Sequence, residues 1–299
     1  YDLPPAGSGT VNENRPNIQI NYTLITSPVV PPSGFMAVPV SSSDVNLQWK
    51  KNAAGDGVLV AYSLSNTFGI PTGSYVAGDA IAGGGTVIYN GSGTAFSQTS
   101  GLDPGITYYY KAWSVHPPGP GYSIGTGAQA TTLCDVVSMF PYLTDFESAA
   151  FPPSCWSQSG IPWLRSNQAS SFGNGTASAF TDFFNTSSGD FELISPILDF
   201  GTLASPVISF DHAYATYSGQ VDRLELWYST DLGSTYTLLT TWLGGLNGPL
   251  NTGGATSVSF VPAPGQWASK SSLLPVGTNK VKFRGVSGYG NNLFIDNIS

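Results

Sequence analysis

The sequence predicts an all-β protein built as two tandem β-sandwiches that are preceded by an isolated strand. Charged residues make up only 9% of the 299 residues, which argues against coiled coils and helical bundles. The chain contains 36 Gly and 22 Pro, which break helices and form turns. Short runs in which apolar and polar residues alternate recur along the chain, and this period of two is typical of half-buried strands.

The charge balance excludes one class of partner. The net charge is −8 at pH 7, from ten Lys and Arg against 18 Asp and Glu. This acidic excess repels phosphate backbones, so we expect no nucleic-acid binding. The sequence also has no run of 18 apolar residues, so we expect no membrane span.

Residues 1–32 are predicted to contain one strand and a proline-rich linker. Within residues 15–24, Ile18, Ile20 and Tyr22 alternate with polar residues. Because a lone strand is not stable by itself, we expect this strand to end an upstream module, to add to the edge of the following sandwich, or to support self-assembly. In the last case it would complete the sheet of a neighbouring molecule by β-strand addition.

Residues 33–133 carry repeated strand patterns. Trp49 lies in an alternating run over residues 45–50, and the run over residues 86–89 leads into Asn90-Gly91. The Asn-Gly pair predicts a hairpin at that point. These patterns indicate a sandwich of short antiparallel strands.

A tyrosine-containing corner follows in the same region, with the sequence Leu102-Asp103-Pro104-Gly105-Ile106-Thr107-Tyr108. Together with the early strand that contains Trp49, this corner resembles the fibronectin type III domain. The span of about 100 residues matches such sandwiches. The resemblance implies an immunoglobulin-like β-sandwich for residues 33–133.

Residues 134–299 form the predicted second unit. An opening run contains Phe146-Glu147, apolar runs follow over residues 193–200 and 206–214, and the chain ends with a run over residues 291–298. In this order the runs resemble the MAM-like jelly rolls of bacterial surface proteins, the group that includes cleaved-adhesin and choice-of-anchor domains. The resemblance implies a jelly roll. Such modules, paired with fibronectin type III domains, are typical of Bacteroidetes proteins exported by type IX secretion.

Cys134 and Cys155 are the two cysteines of the chain. No CxxC motif or His/Cys cluster accompanies them, so a zinc site is not expected. The sequence leaves open a disulfide or two buried free thiols. A disulfide would contribute about 3 kcal/mol to stability in the chain-entropy model, and it would fit an oxidising, extracellular location.

Asp145, Glu147 and Asp296 are the candidate metal ligands. Asp145 and Glu147 share one face if they lie in a strand, and Asp296 stands in the predicted terminal strand. In the resembled jelly rolls, acidic residues of the opening and closing strands help to hold a structural calcium, so the resemblance implies calcium as a cofactor here. The alternatives are solvated carboxylates at strand ends or, with Asp211, the paired carboxylates of a glycosidase cleft.

Three further patterns suggest chemistry but have structural interpretations. Residues 121–125 match the G-x-S-x-G motif, yet a nucleophile elbow needs a strand before it and a helix after it. Asp211 and His212 are adjacent in a predicted strand and therefore point to opposite faces. Residues 229–236 resemble an Asp-box, in which Asp231 accepts backbone N–H groups and closes a hairpin. We therefore expect no enzyme activity.

Trp227, Trp242, Tyr217 and Tyr289 are the candidate ligand-binding residues. β-Sandwich binding modules stack aromatic rings on sugar rings and orient them with nearby polar groups. Trp227 is flanked by charged residues in its predicted strand, which favours an exposed ring. The alternative is that these rings cover a second sheet or a domain interface.

These features predict a non-catalytic adhesion or ligand-binding module of a larger secreted bacterial protein, extracellular or at the cell surface. The expected partner is a glycan or a surface protein. Two alternatives remain open. The chain is a structural subunit of an extracellular assembly that uses strand addition, or it is the accessory part of a secreted hydrolase, a protease or a glycosidase.

Overall fold

The computed structural model describes residues 28–116, 121–217 and 219–299. These residues form 18 β-strands, and their only helical segments are two 3-10 turns of three residues each. The all-β prediction is therefore confirmed. No helix in this part of the chain is long and apolar enough to cross a bilayer. The strand predicted over residues 15–24 lies outside the described residues.

The first sandwich consists of two antiparallel sheets. Its strands are β1 (Ser33–Pro39), β2 (Val45–Lys50), β3 (Gly57–Ser63), β4 (Thr86–Gly91), β5 (Ala95–Gln98), β6 (Thr107–His116), β7 (Gly121–Tyr122) and β8 (Thr126–Thr131). One sheet has the strand order β1-β2-β5, and the other has the order β4-β3-β6-β7, with β8 also paired to β6. Buried apolar residues from both sheets form one core between them.

The alternating runs place their apolar residues in this core. In β2, Val45, Leu47 and Trp49 are buried while the residues between them are exposed, as a period of two requires. The buried Tyr108 fixes the predicted corner, because its hydroxyl accepts the Asp103 N–H at 2.8 Å. The corner therefore joins a loop to the core through one side chain.

The hairpin predicted at Asn90-Gly91 is wrong. Both residues lie within β4, which pairs with β3. The next strand, β5, pairs with β2 in the opposite sheet. The chain therefore crosses between the two sheets at this point, and pairing of β4 with β3 and of β5 with β2 overrides the local turn preference of Asn-Gly.

The second sandwich also consists of two antiparallel sheets. Its strands are β9 (Ser157–Gly160), β10 (Leu164–Ser166), β11 (Ser178–Thr181), β12 (Gly189–Ile194), β13 (Val207–Tyr214), β14 (Arg223–Ser229), β15 (Thr237–Leu243), β16 (Ala268–Leu273), β17 (Lys280–Ser287) and β18 (Leu293–Asp296). The strand orders are β10-β11-β18-β13-β16 and β15-β14-β17-β12-β9.

One face of each sheet supplies the core of this sandwich. Leu224 and Leu226 of β14 pack with Phe283 of β17 and with Phe210 of the opposite sheet, whose ring centroid lies 5.0 Å from that of Phe283. Because side chains alternate along a strand, the residues between these positions are directed to the outer face. That outer face carries charged residues, which are described below.

A disulfide joins Cys134 to Cys155, so the disulfide prediction is confirmed. The bond lies against the corner of the first sandwich, where the Ser154 hydroxyl donates to the Pro104 carbonyl. A Cβ at Gly105 would lie 2.8 Å from Cys155 Sγ, and Gly105 has a φ of +68°. Glycine is therefore required at this position both for its backbone conformation and for its contact with the disulfide.

Candidate functional site

Three loops meet at one end of the second sandwich, between β11 and β12, between β13 and β14, and between β17 and β18. They form a cleft of about 240 Å³ that is lined by Phe184, Asn185, Tyr217, Tyr289 and Gly290. We refer to these five residues as the aromatic cleft. The structure thus brings together two of the four aromatic residues selected from the sequence, Tyr217 and Tyr289.

The rings of the aromatic cleft differ in exposure. The Tyr289 side chain is 51% exposed, whereas Phe184 and Tyr217 are half-buried. The Phe184 and Tyr217 rings meet edge to face, with their centroids 6.1 Å apart. Accessible aromatic rings of this kind suit a flat, partly apolar ligand such as a pyranose ring.

The backbone at Tyr289 has an unusual conformation. Its φ of +64° is in the left-handed region, which costs a residue with a side chain about 1–2 kcal/mol. Gly288 and Gly290 flank Tyr289, and their N–H groups donate to the buried Asp222 carboxylate at 2.8 and 3.0 Å. These bonds hold the loop in a form that leaves the Tyr289 ring exposed.

Asn185 supplies the polar side chain of the aromatic cleft. Its amide donates to the Asp182 carboxylate at 3.0 Å, and its backbone N–H donates to the same carboxylate at 3.2 Å. The side chain is therefore held beside the aromatic rings, where its carbonyl oxygen is an acceptor. None of the five lining residues is charged.

Trp227 lies on the outer face of the other sheet. Lys282 Nζ is 5.3 Å from the centroid of the Trp227 ring, and Arg284 Cζ is 5.9 Å from it. The indole N–H donates to Glu225 at 3.0 Å. The ring is half-buried and lies under two cations, so it does not form the free platform expected from its flanking charges.

Ion pairs extend over the outer face around Trp227. We refer to them as the charged sheet face; its members are Asp190, Glu192, Arg223, Glu225, Trp227, Lys282 and Arg284. Glu225 is 5% exposed and accepts from Arg223 at 2.6 Å and from Arg284 at 3.0 Å. Burial alone would raise the pKa of Glu225, but the bonds from Arg223 and Trp227 and the neighbouring positive charges lower it.

Trp242 faces the interior of the sandwich. It lies opposite Leu224 in the pairing of β14 with β15, and its ring packs edge to face on Phe210 with centroids 5.4 Å apart. Lys270 Nζ lies 6.0 Å from the Trp242 ring centroid. This half-buried tryptophan therefore packs between the two sheets. That is the alternative given above for the candidate aromatic residues, in which the ring covers a second sheet.

The candidate metal ligands lie where the opening segment meets the terminal strand. Thr144 and Ile298 exchange backbone hydrogen bonds, which places residues 145–147 beside Asp296. These three residues form no strand, because Phe146 has a φ of +57°. The expectation that Asp145 and Glu147 share one strand face is therefore wrong, and Asp145 is exposed.

Glu147 and Asp296 already have hydrogen-bond donors. The Glu147 carboxylate accepts the N–H groups of Thr176 at 2.8 Å and Ala177 at 3.1 Å. Asp296, which is 1% exposed, accepts the N–H groups of Ser171 and Asn297, both at 2.8 Å.

Burial raises the pKa of Asp296, the two backbone bonds lower it, and the charges of Glu147 and Asp211 raise it, with a net value of about 6. A cation would relieve this repulsion. Within the described ranges, however, no three His, Cys, Asp or Glu side chains are arranged to hold one metal ion. A calcium ion, which needs 6–8 oxygens, would therefore depend largely on backbone carbonyls.

The G-x-S-x-G motif, the Asp211-His212 pair and the Asp-box each have surroundings that fit a structural role. The Ser123 hydroxyl accepts the Ser114 N–H at 3.0 Å in a buried position. His212 is 0% exposed, and burial lowers its pKa to about 4. Asp231 accepts the Thr235 N–H at 2.9 Å, and bonds from the Thr235 side chain and backbone lower its pKa to about 2. The Asp-box thus closes the hairpin between β14 and β15.

No protein-family model and no curated protein matches this chain. Among solved structures, the K1 cleaved adhesin domain of Lys-gingipain from Porphyromonas gingivalis W83 is 18% identical, with 52% of this chain and 95% of that chain covered and a TM-score of 0.39. An Fn3-like protein from Clostridium thermocellum is 22% identical over 36% of this chain and 95% of its own, with a TM-score of 0.27.

A third solved structure is the C-terminal family 22 carbohydrate-binding module of Clostridium thermocellum Xyn10B. It is 14% identical over 53% of this chain and 89% of its own, with a TM-score of 0.33. Similarities at these values do not assign this chain to a family. The all-β sandwich architecture rests on the strands of the chain itself.

Proposed function

We propose that this chain is a non-catalytic extracellular binding module whose second sandwich binds a glycan in the aromatic cleft. One observation carries the proposal: Phe184, Tyr217 and Tyr289 line a single cleft although they come from three separate loops. An exposed aromatic ring costs solvation free energy, and Tyr289 is also held in a left-handed backbone conformation. Strained residues of this kind cluster at binding sites.

The lining of the aromatic cleft favours an uncharged saccharide. Its polar groups are amides and phenol hydroxyls, which form hydrogen bonds with sugar hydroxyls. A uronate or sialate would bring a carboxylate towards Asp182 without meeting a cation among the lining residues. The volume of about 240 Å³ is below the range of roughly 300–1,000 Å³ typical of sites for drug-sized ligands, so we propose that one or two sugar units enter.

The extracellular location is supported by the Cys134–Cys155 disulfide, because such bonds persist in oxidising compartments. A bacterial cell surface and export by type IX secretion follow only from the resemblance described above and stay predictions. A surface protein as partner also stays a prediction. The sugar-ring chemistry of the aromatic cleft makes a glycan the better-supported ligand.

The test is a glycan array followed by titration calorimetry with a neutral oligosaccharide. We expect Tyr289→Ala and Tyr217→Ala each to weaken binding at least tenfold, since burying a large apolar side chain against a ligand contributes roughly 1.5–3 kcal/mol. Tyr109→Ala, which removes a partly exposed tyrosine of the first sandwich, is the matched control and retains full affinity. Equal binding by all three variants would overturn the proposal.

We also propose a structural calcium ion at Glu147 and Asp296. The support is the burial of Asp296 beside two further carboxylates. Asp145, being exposed, would contribute least. We expect calcium to raise the unfolding temperature and a chelator to lower it, and Asp296→Asn to abolish the difference. A melting temperature that is the same with calcium and with chelator would contradict the site.

The two alternative functions stay predictions. Assembly by strand addition depends on residues 15–24, which lie outside the described residues. A role as the accessory part of a hydrolase depends on a catalytic domain in the same protein. No observation on the described residues favours either alternative over the binding module.

A further inference from the structure

We propose that Asp222, Asn291 and Asn292 form a buried positioning set that holds the aromatic cleft in its binding conformation. This inference rests on the proposed glycan-binding function. None of the three residues lines the aromatic cleft. Asp222 and Asn292 accept hydrogen bonds from the backbone N–H groups of Gly290 and Phe184, which do line it. Asn291 donates its own N–H to Asp222, and we refer to the three residues as the positioning set.

Asp222 is the centre of the positioning set. Its side chain is 0% exposed and accepts four hydrogen bonds, from the N–H groups of Gly288 at 2.8 Å, Gly290 at 3.0 Å and Asn291 at 2.9 Å and from the Tyr214 hydroxyl at 2.9 Å. All four donors are neutral. A buried carboxylate is tolerated only where such donors replace its water, so the loop must close around it.

Tyr214 is suited to its role as a donor. Burial raises the pKa of this phenol, and the charge of Asp222 raises it further. The hydroxyl therefore keeps its proton at any ordinary pH. The Asp222 carboxylate consequently has one side-chain donor from β13 and three backbone donors from the loop between β17 and β18.

The glycines beside Tyr289 are required by the same geometry. A Cβ at Gly290 would lie 1.9 Å from an Asp222 carboxylate oxygen, and a Cβ at Gly288 would lie 2.4 Å from the Val221 carbonyl oxygen. The backbone on both sides of Tyr289 thus packs directly on residues 221–222. With its neighbours held inward, the Tyr289 ring is left on the surface of the aromatic cleft.

Asn292 connects this loop to the Phe184 loop, and Asn291 connects it to the segment between β15 and β16. The Asn292 side-chain carbonyl accepts the Phe184 N–H at 3.2 Å, and the Asn291 side-chain carbonyl accepts the Phe260 N–H at 2.8 Å. Both asparagines are buried. The set therefore fixes the Tyr289 loop and the Phe184 loop through adjacent residues of one segment.

Holding both loops before the ligand arrives has an energetic consequence. Ordering a mobile loop on binding costs free energy, and a preformed site avoids that cost. A change in the positioning set should therefore reduce affinity although every ring that contacts the ligand is retained. This expectation separates positioning from direct contact.

The experiment compares Asp222→Asn with the unaltered protein. The Asn side chain keeps one carbonyl oxygen as an acceptor and places a donor at the other position, so either the Asn291 bond or the Gly288 and Gly290 bonds are lost. We expect the loop amide that loses its bond, either that of Asn291 or those of Gly288 and Gly290, to lose hydrogen-exchange protection at least tenfold. We also expect the affinity for a neutral oligosaccharide to fall at least tenfold. Gly290→Ala, which displaces the loop without changing Asp222, is the second variant. We expect it to reduce loop protection and affinity in the same way.

Glu225→Gln is the matched control, because Glu225 is also a buried acid but belongs to the charged sheet face. We expect it to lower the melting temperature while affinity stays unchanged, which shows that lost stability alone does not reduce binding. Unchanged loop protection in both Asp222→Asn and Gly290→Ala would overturn the positioning role. A protein that binds no glycan at all would overturn the proposed function, and the exchange measurement, made without ligand, would still decide the positioning role.

Discussion

The aromatic cleft and the charged sheet face use aromatic residues in opposite ways. In the aromatic cleft, Tyr289 is 51% exposed and its loop is held by a buried acid. On the charged sheet face, Trp227 lies beneath Lys282 and Arg284, and its N–H is bonded to Glu225. Backbone hydrogen bonds to Asp222 keep the Tyr289 ring exposed, whereas the side chains of Lys282 and Arg284 cover the Trp227 ring.

Neighbouring charges therefore do not by themselves expose an aromatic ring. Along a strand, a flanking Lys or Arg has a flexible apolar stem that covers an adjacent ring and gains cation–π attraction. An aromatic residue in a loop stays exposed when backbone bonds fix that loop. We therefore expect changes in the charged sheet face to alter stability and changes in the aromatic cleft to alter affinity.

Glu225→Ala should lower the free energy of unfolding more than the other changes considered below. Removing this carboxylate breaks its ion pairs with Arg223 and Arg284. Because both arginines are partly exposed and Arg284 keeps its pair with Asp190, we expect a loss of about 3 kcal/mol, the lower end of the range for a broken buried ion pair. Denaturation with urea should show this loss of unfolding free energy, while the affinity for glycan is retained. A loss below about 1 kcal/mol would mean that the charged sheet face behaves as an ordinary solvated surface.

The next effect is the response of His212 to acid. Its pKa is lowered to about 4 by burial, against about 6.5 in the unfolded chain. Folding favours the neutral imidazole of His212. Its contribution to the free energy of unfolding is therefore fully present above pH 6.5 and is lost as the pH falls towards 4, by about 3 kcal/mol in all.

Asp296 has the opposite effect on how stability depends on pH. Because its pKa is raised to about 6, its protonation as the pH falls stabilises the folded protein. The free energy of unfolding as a function of pH combines the contributions of both groups. The measurement is therefore an NMR titration of the His212 ring protons, which reports on His212 alone. A midpoint near pH 6.5 would contradict the burial of an uncharged imidazole.

A smaller effect is expected for Trp227→Ala. The change removes a half-buried ring and its contacts with Lys282 and Arg284, which we expect to cost about 2 kcal/mol. Thermal or chemical denaturation measures this loss. Glycan affinity should not change, and a loss of affinity in this variant would move the binding site to the charged sheet face.

The smallest effect on stability is expected for Tyr289→Gly. Glycine adopts the left-handed conformation without strain, so the unfolding free energy should stay equal or rise by up to about 1 kcal/mol. Binding should nevertheless be lost, because the exposed ring is gone. A clear fall in stability would show that the Tyr289 ring packs on the protein rather than serving a ligand.

Most of the fold was predictable because it depends on local periodicity. The alternating run around Trp49 became a strand with one buried face, and the corner at Tyr108 formed as the resemblance implied. Which strands pair depends on contacts distant in sequence. The Asn90-Gly91 hairpin failed for that reason, since β4 and β5 each found a better partner elsewhere.

The candidate site was predictable only in part. The sequence marked Tyr217 and Tyr289 as individual candidates, but nothing local shows that loops from three parts of the chain meet. Asp222 was missed because an isolated acid before a strand has no distinctive pattern. The glycines on either side of Tyr289 were the available signal, since paired glycines around one aromatic residue indicate a constrained loop.

Trp242 and residues 145–147 show two further limits. Which face of a strand points inward depends on the register with its neighbour, and that register places Trp242 opposite the buried Leu224. Strand alternation likewise fails where a single residue adopts a positive φ, as Phe146 does. Neither the strand register nor the positive φ can be inferred from the residue types alone.

The most direct measurement is a two-dimensional NMR titration of the protein with neutral oligosaccharides from the array. We expect shifts to concentrate on the Phe184, Tyr217 and Tyr289 loops, and we expect the ligand protons to receive saturation from the tyrosine rings. Signals from the Trp227 side chain should not move. Shifts centred on Trp227, or no shifts with any neutral glycan that the array retains, would contradict the assignment of the aromatic cleft as the binding site.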